Sequence, residues 1–157
     1  MTKSRPSVDR LKELFSYDPE VGELVRNATG SRAGWKGSQR RYRGIKVDGV
    51  SFQEHIAIWA IVTGEYPSGQ IDHRDRDGLN NRWANLRLAT ASQQQANRRV
   101  FNPTGYRGVY RRTKNRWAAV VNHGGRGHYL GMFSNPEDAA QVVDAYRTKQ
   151  YGEFASF

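Results

Sequence analysis

Cysteine is absent from the 157-residue chain, which excludes a disulfide framework and any metal site built on thiolates. Absent too is an apolar run near the ~20 residues that a membrane-spanning helix requires. The opening Met1-Thr2-Lys3 lacks the charged-then-apolar pattern of a secretory signal. The expectation is a protein of a reducing cytoplasm with no membrane partner. Acids are scarce: 15 Asp and Glu stand against 25 Lys and Arg, a formal net charge of +10, with a pI near 10.2. A balance this basic favours a polyanionic partner. With 37% hydrophobic and 11% aromatic residues, the chain can bury one modest core or two thin ones.

The shortage of acids is local. Residues 24–47 hold none, yet carry Arg26, Arg32, Lys36, Arg40, Arg41, Arg43 and Lys46. Residues 106–134 again hold none, with Arg107, Arg111, Arg112, Lys114, Arg116 and Arg126. Interleaved Tyr and Trp make nucleic acid a better fit than a merely solvated surface. Neither stretch shows the helical apolar stripe of a membrane-surface segment.

Cap and turn residues divide the chain. Residues 7–15 read as a short helix with Ser7 as N-cap, and residues 23–27 as a strand. Residues 29–41, rich in Gly, Ser and Arg, read as a loop. Two strands, 42–47 and 50–52, flank Asp48-Gly49, a hairpin signal. Residues 53–64 read as a buried helix closed by Gly64. Strands at 70–73 and 86–89 follow, separated by a loop. Thr90 and Gln93 match a capping box that starts a helix at about Ala91 and runs it towards Arg99. Asn102-Pro103-Thr104-Gly105 reads as a linker. Three further strands, 106–112, 116–122 and 128–133, precede a helix opened by Asn135-Pro136-Glu137-Asp138.

Asp72-His73 at a strand end, with Asn85 twelve residues beyond His73 and an amide-rich helix after it, is the chemistry-bearing constellation. Phosphodiester hydrolysis needs an activated water and relief of phosphate charge. A histidine with a pKa near ~6.5 is largely neutral at pH 7 and can take a proton from water. An adjacent carboxylate can hold Mg²⁺, which keeps several waters and needs only one or two protein oxygens besides the phosphate. Neighbours on an ideal strand face opposite ways, so a bulge or a strand end must redirect one of the pair. The Asp75-Arg76-Asp77-Gly78 run does not have calcium-loop spacing. Asn80-Asn81 fits turn geometry, and His55 reads as a satisfied buried or DNA-facing histidine. Arg87 could clamp the scissile phosphate or be a surface Arg.

Taken together, Ile71-Asp72-His73-Arg74-Asp75, Gly78-Leu79-Asn80-Asn81, Asn85-Leu86-Arg87, Ala89-Thr90 and Asn97 resemble the HNH nucleases of phage homing-endonuclease type. The upstream His55, Trp59 and Thr63-Gly64-Glu65-Tyr66-Pro67 resemble the segment that precedes that motif. The resemblance covers about residues 42–99 and implies the ββα-metal fold. It implies His73 as general base, Asp72 as metal ligand, and Asn85 as the residue that braces the loop and orients His73. The family's second metal ligand, Asn or His, sits nine residues after the position of Asn85, where this chain has Gln94. Gln94 is the first candidate for that ligand and Asn97, three residues on and on roughly the same helical face, the second.

A second resemblance covers about residues 105–155. Gly105-Tyr106-Arg107-Gly108-Val109-Tyr110, Arg116-Trp117-Ala118-Ala119, Tyr129-Leu130-Gly131-Met132-Phe133 and Pro136-Glu137-Asp138-Ala139-Ala140 are similar to an AP2 domain. Such domains lay a three-stranded sheet in the DNA major groove. The matching DNA-facing positions are Arg107, Tyr110, Arg112, Arg116, Asn122 and Tyr129, with Trp117 expected in the core. In plant AP2 domains the positions of Tyr110, Val120 and Asn122 are commonly Arg, Glu and Arg, so a plant-type base preference is not implied.

The expected architecture is α+β in two domains. A ββα-metal nuclease with an N-terminal helix and hairpin occupies 1–101. A three-stranded antiparallel sheet on one helix, AP2-like, occupies 102–157. The expected activity is metal-dependent DNA endonuclease with Mg²⁺ or Mn²⁺, nicking or cutting both strands. Arg41 and Arg43 join the C-terminal residues in contacting double-stranded DNA. A monomer is expected and a dimer left open, in the host cytoplasm if phage-encoded. The alternative is a DNA-binding regulator with an inactive HNH domain.

Overall fold

Ser7 caps the first helix as expected: its hydroxyl accepts from the Arg10 N–H at 3.1 Å, and α1 runs Val8–Leu14 with Leu11 fully buried. In the computed structural model, residues 4–36, 41–97 and 102–155 are described. Arg40, the expected helical extension to Arg99, and residue 101 at the expected domain boundary lie outside them. The chain forms two compact units, Met1–Thr90 and Ala91–Phe157. The helix that starts at Ala91 thus groups with the C-terminal unit, earlier than the expected division at 101/102.

In the N-terminal unit, β1 (Phe15–Asp18) and β2 (Glu23–Arg26) form an antiparallel ladder. β1 was not expected. Its turn is built by Asp18, whose Oδ1 accepts from the N–H groups of Glu20 and Val21, and by Gly22 at φ +77°. A side chain at Gly22 would strike the backbone of Asn81 and Arg82, so this turn lies directly against the loop that carries the candidate site. The short β3 (Trp35–Lys36) falls inside the expected loop. Together with β4 (Arg43–Val47) and β5 (Val50–Gln53), it forms a sheet in the order β3-β4-β5. Asp48 and Gly49, both with positive φ, make the expected hairpin turn.

Helix α2 (Glu54–Thr63) is apolar nearly all round and is buried for that reason. Gly64 ends it in the left-handed conformation, with its N–H on the Ala60 carbonyl at 3.0 Å. Leu11, Phe15, Leu24, Ile45, Ile58 and Leu86 belong to one core cluster with the helix. β6 (Gln70–His73) and β7 (Leu86–Ala89) then pair antiparallel, with Asp72 opposite Arg87 and His73 opposite Leu86. The ladder is regular. The strand ends at His73, and no bulge intervenes between it and Asp72.

The C-terminal unit opens with α3 (Ala91–Asn97). Its last turn is held by two arginines: Arg107 and Arg147 both donate to the Ala96 carbonyl at 2.7 Å. A carbonyl near a helix C-terminus has no partner inside the helix, and cations complement it. The three strands β8 (Val109–Thr113), β9 (Arg116–His123) and β10 (Arg126–Phe133) form an antiparallel sheet in the order β10-β9-β8. α4 (Pro136–Tyr151) is capped by Asn135, whose Oδ1 accepts from the Asp138 N–H at 2.8 Å. Val109, Ala119, Val121, Ala139 and Val143 form the core between sheet and helix, and Trp117 packs on its edge. Among the described residues no helix is long and apolar enough to cross a membrane.

Candidate functional site

The site begins with the loop between β6 and β7. Asn85 is its internal brace. Its Oδ1 accepts from the Asp75 N–H at 3.0 Å, and its amide donates to Asp75 Oδ1 at 2.9 Å and to the Asn80 carbonyl at 2.7 Å. The carboxylate of Asp75 also accepts from the Asp77 N–H and from the Asn80 amide. Partial burial pushes the Asp75 carboxyl up, but these hydrogen bonds outweigh it and hold it below its ordinary value. The loop is therefore held by its own polar side chains, from the exposed Asp75 to the buried Asn85.

Asn81 plays a different part from that of a turn residue. It is essentially fully buried, and its Oδ1 lies 3.0 Å from Nε2 of His73. Its amide donates to Glu54 Oε2 at 3.0 Å, and its backbone carbonyl accepts from the Tyr17 hydroxyl at 2.8 Å. Burial pushes that phenol up to about 12, so it stays a donor. The residue that fixes His73 is thus Asn81, whereas the amide of Asn85 is committed to the loop. Sequence reasoning missed Asn81 because both members of Asn80-Asn81 carry the same turn signature. Only burial separates them.

His73 is buried in an aromatic setting. Its ring lies 5.1 Å from that of His55 and 5.9 Å from that of Tyr42, and His55 and Tyr42 are 5.3 Å apart. His55 is a buried histidine with no hydrogen-bond partner at Nδ1. Burial first, and the neighbouring His73 second, push it down to about 3, so it is neutral at every working pH.

Asp72 faces the opposite way from His73 and meets Arg87. Arg87 Nε donates to Asp72 Oδ2 at 2.9 Å, and its terminal nitrogen lies 2.8 Å from the same oxygen. Both side chains are more than nine-tenths buried. Arg87, expected either as a phosphate clamp or as a surface arginine, is therefore the buried counter-ion of Asp72. The physical reason is register: the ladder sets these two residues directly opposite, and a buried carboxylate needs a paired charge.

Arg43, expected on DNA, is also drawn inward. Its Nε lies 3.3 Å from Glu54 Oε2, and its side chain is only 12% exposed beside a fully buried carboxylate. Arg41 is exposed and stacks its guanidinium over Tyr42. In α3, Gln94 is half-buried and Asn97 buried.

In the C-terminal sheet, antiparallel register sets Tyr110 opposite Ala118, Tyr129 opposite Val120 and Gly127 opposite Asn122. These residues share the face turned away from the core residues Ala119 and Val121. Tyr110 and Tyr129 are 46% and 62% exposed, and Arg112, Arg116 and Asn122 are exposed as well. Arg107 does not belong to this set, since it is turned onto the Ala96 carbonyl. The expected DNA-facing group is thus brought together except for Arg107.

Among the described residues no cluster of three or more His, Cys, Asp or Glu could cage a metal ion. A hard divalent ion needs only one or two protein oxygens, with water and substrate oxygens completing its shell.

A histidine bonded to a buried amide thus stands one residue from a carboxylate, at the end of a two-stranded ladder. The HNH endonuclease family matches residues 53–96, from the end of β5 into α3. An uncharacterized HNH endonuclease, L560, of Acanthamoeba polyphaga mimivirus is 34% identical over 114 residues, covering 71% of this chain and 60% of that protein. Protein 3.8 of Escherichia phage T7 is 31% identical over 112 residues, covering 67% of this chain and 89% of its own length. The chain thus carries an HNH endonuclease domain at residues 53–96. It spans about 60% of the length of the mimivirus relative. No solved structure matches.

Proposed function

We propose that this chain is a metal-dependent DNA endonuclease of phage type, with His73 as general base, Asp72 as metal ligand and an AP2-like C-terminal module that holds duplex DNA. The observation that carries this reading is the pairing of His73 Nε2 with Asn81 beside a buried Asp72. Asn81 directs its amide at Glu54 and so presents an oxygen to His73. Nε2 is then the protonated nitrogen and Nδ1 the basic one.

The reaction follows from these groups. Nδ1 of His73 takes a proton from water as the water oxygen bonds to phosphorus. The bond from phosphorus to the leaving oxygen breaks, and solvent protonates that oxygen. Mg²⁺ or Mn²⁺, when bound, supplies charge relief to the phosphate and the leaving oxygen. Asp72 would hold it, and Gln94 and Asn97 are the candidates that the family resemblance gives for a second donor. Arg87 pairs with the Asp72 carboxylate and fixes its position. Asn85 acts one step away, by keeping the loop that carries Asn81 in shape.

Tyr110, Arg112, Arg116, Asn122 and Tyr129 form the proposed DNA face of the C-terminal module, and Arg41 adds a cation on the nuclease unit. Arginines contribute phosphate and guanine contacts. Tethering reader to cutter raises the local concentration of the cutter near its site. One site per chain makes a nick the expected product of a monomer.

The competing reading is a DNA-binding regulator with an inactive nuclease domain. It is favoured by Gln94, which stands where the family has Asn or His. Supercoiled plasmid incubated with the chain separates the two. Conversion to open circles with Mg²⁺ or Mn²⁺, abolished by EDTA, supports the endonuclease. DNA binding with no conversion under any divalent ion supports the regulator.

A further inference from the structure

Glu54 is the first residue of α2 and is 0% exposed. A carboxylate in such a place is costly unless something depends on it. Its Oε2 accepts from the Asn81 amide at 3.0 Å and faces Arg43 Nε at 3.3 Å. Its Oε1 is buried with no hydrogen-bond partner, beneath Gly34, where an added Cβ would lie 3.0 Å from it. The carboxylate thus fills a niche that its neighbours leave open for it.

The chemistry of this niche is directional. An ionised carboxylate only accepts, so the Asn81 side chain must turn its NH₂ to Glu54 and its oxygen to His73 Nε2. An Asn between two neutral groups could flip end for end. Flipped, it would donate to Nε2 and force the proton onto Nδ1, the nitrogen that must be basic. Arg43 strengthens the direction, because a cation beside Glu54 favours the ionised carboxylate.

We propose that Glu54, acting through Asn81, is a positioning residue that holds His73 in the Nε2–H tautomer and so keeps Nδ1 as the proton acceptor. This rests on the reading of His73 as general base. Glu54 touches neither substrate nor His73. It acts as the carboxylate of a hydrolase triad does, with an amide interposed.

The test is run on the full chain at pH 8, above the value of about 7 to which burial pushes Glu54 against the pull of Arg43. The chain has four histidines. Ring ¹⁵N–¹H correlation spectra of ¹⁵N-histidine-labelled protein resolve their tautomers, and His73→Ala assigns the His73 signals. Wild type is expected to show His73 as Nε2–H. In Glu54→Met, Asn81 loses the acceptor that sets its direction, the His73 signals move towards the Nδ1–H form, and nicking falls at least tenfold while DNA affinity stays within twofold. Glu54→Gln, whose carbonyl accepts from the Asn81 amide as the carboxylate does, restores the wild-type spectrum and most of the nicking. Should Glu54→Met fail to fold, the double variant Arg43→Met/Glu54→Met removes the charge pair together and is expected to give a mixed tautomer and slowed nicking. An unchanged His73 tautomer in the folded Met variant, or a changed tautomer with wild-type nicking, overturns the proposal. Wild-type nicking by His73→Ala instead overturns the general-base reading, and the tautomer spectra of the Glu54 variants then stand apart from catalysis.

Discussion

Nε2 of His73 lies 3.0 Å from Oδ1 of Asn81, both side chains buried. Asn85, the other conspicuous amide of the loop, is bonded to Asp75 and Asn80. The two amides therefore predict different phenotypes. Asn81→Ala leaves a buried carboxylate and a buried imidazole each short of a partner, and should cost about 1–3 kcal/mol of stability. It should also slow nicking at least tenfold and alter the His73 ring spectrum. Asn85→Ala should cost a similar stability but leave the His73 tautomer as in wild type. Urea unfolding and ring ¹⁵N spectra of both variants check this.

Arg87 and Asp72 form a buried ion pair with contacts of 2.8 and 2.9 Å. Arg87→Met removes the buried counter-ion of the carboxylate and should destabilise the protein by about 3–5 kcal/mol. Replacing both residues with apolar ones should cost less than the single change. Thermal or urea denaturation measures this. A phosphate clamp would behave otherwise, losing DNA affinity with stability intact.

Two adjacent residues give opposite pH dependences. His55 falls to about 3 from an ordinary 6.5, so between those values the unfolded chain binds the extra proton and stability is lost as pH falls. Glu54 rises to about 7 from 4.5. There the folded chain binds the extra proton, and stability is gained as pH falls through the same range. Between pH 7 and pH 5 the two slopes offset each other in the wild type. Glu54→Gln removes one of them, and the variant should lose about 2 kcal/mol over that interval relative to wild type. Equilibrium unfolding at the two pH values reads the difference directly.

The exposed face of the C-terminal sheet predicts a binding phenotype separate from cutting. Arg116→Ala should weaken duplex binding and lower the salt slope, log Kd against log salt, by about one. Tyr129→Ala, on a side chain 62% exposed, should weaken binding with that slope unchanged. Fluorescence anisotropy at several salt concentrations separates the two effects.

Much of this was legible in the sequence where short-range rules apply. Ser7 and Asn135 cap the helices they were expected to cap, Gly64 ends α2, and β6 and β7 have the expected limits. Period and cap chemistry are local, so they can be read from neighbours alone. What was not legible depends on contacts between residues distant in sequence. Arg43 reads as one more cation in an acid-free run, and only the burial of Glu54, eleven residues on, turns it inward. Arg107 resembles a DNA contact until the end of α3 is seen beneath it. β3 escaped notice because two residues with no alternation carry no strand signal, and Trp35 needs Gly44 opposite it, where a Cβ would come within 3.0 Å of its ring.

The proposed role of His73 is to activate water for cleavage of a DNA phosphodiester. Its most direct measurement is single-turnover conversion of supercoiled plasmid by wild type and His73→Ala, side by side with Mg²⁺ and with Mn²⁺. Expected are open circles from wild type and, from the variant, a rate at least a hundredfold lower, ~10²-fold being the usual least contribution of a general base. Equal rates from the two proteins, or no conversion by wild type with any divalent ion, would contradict it.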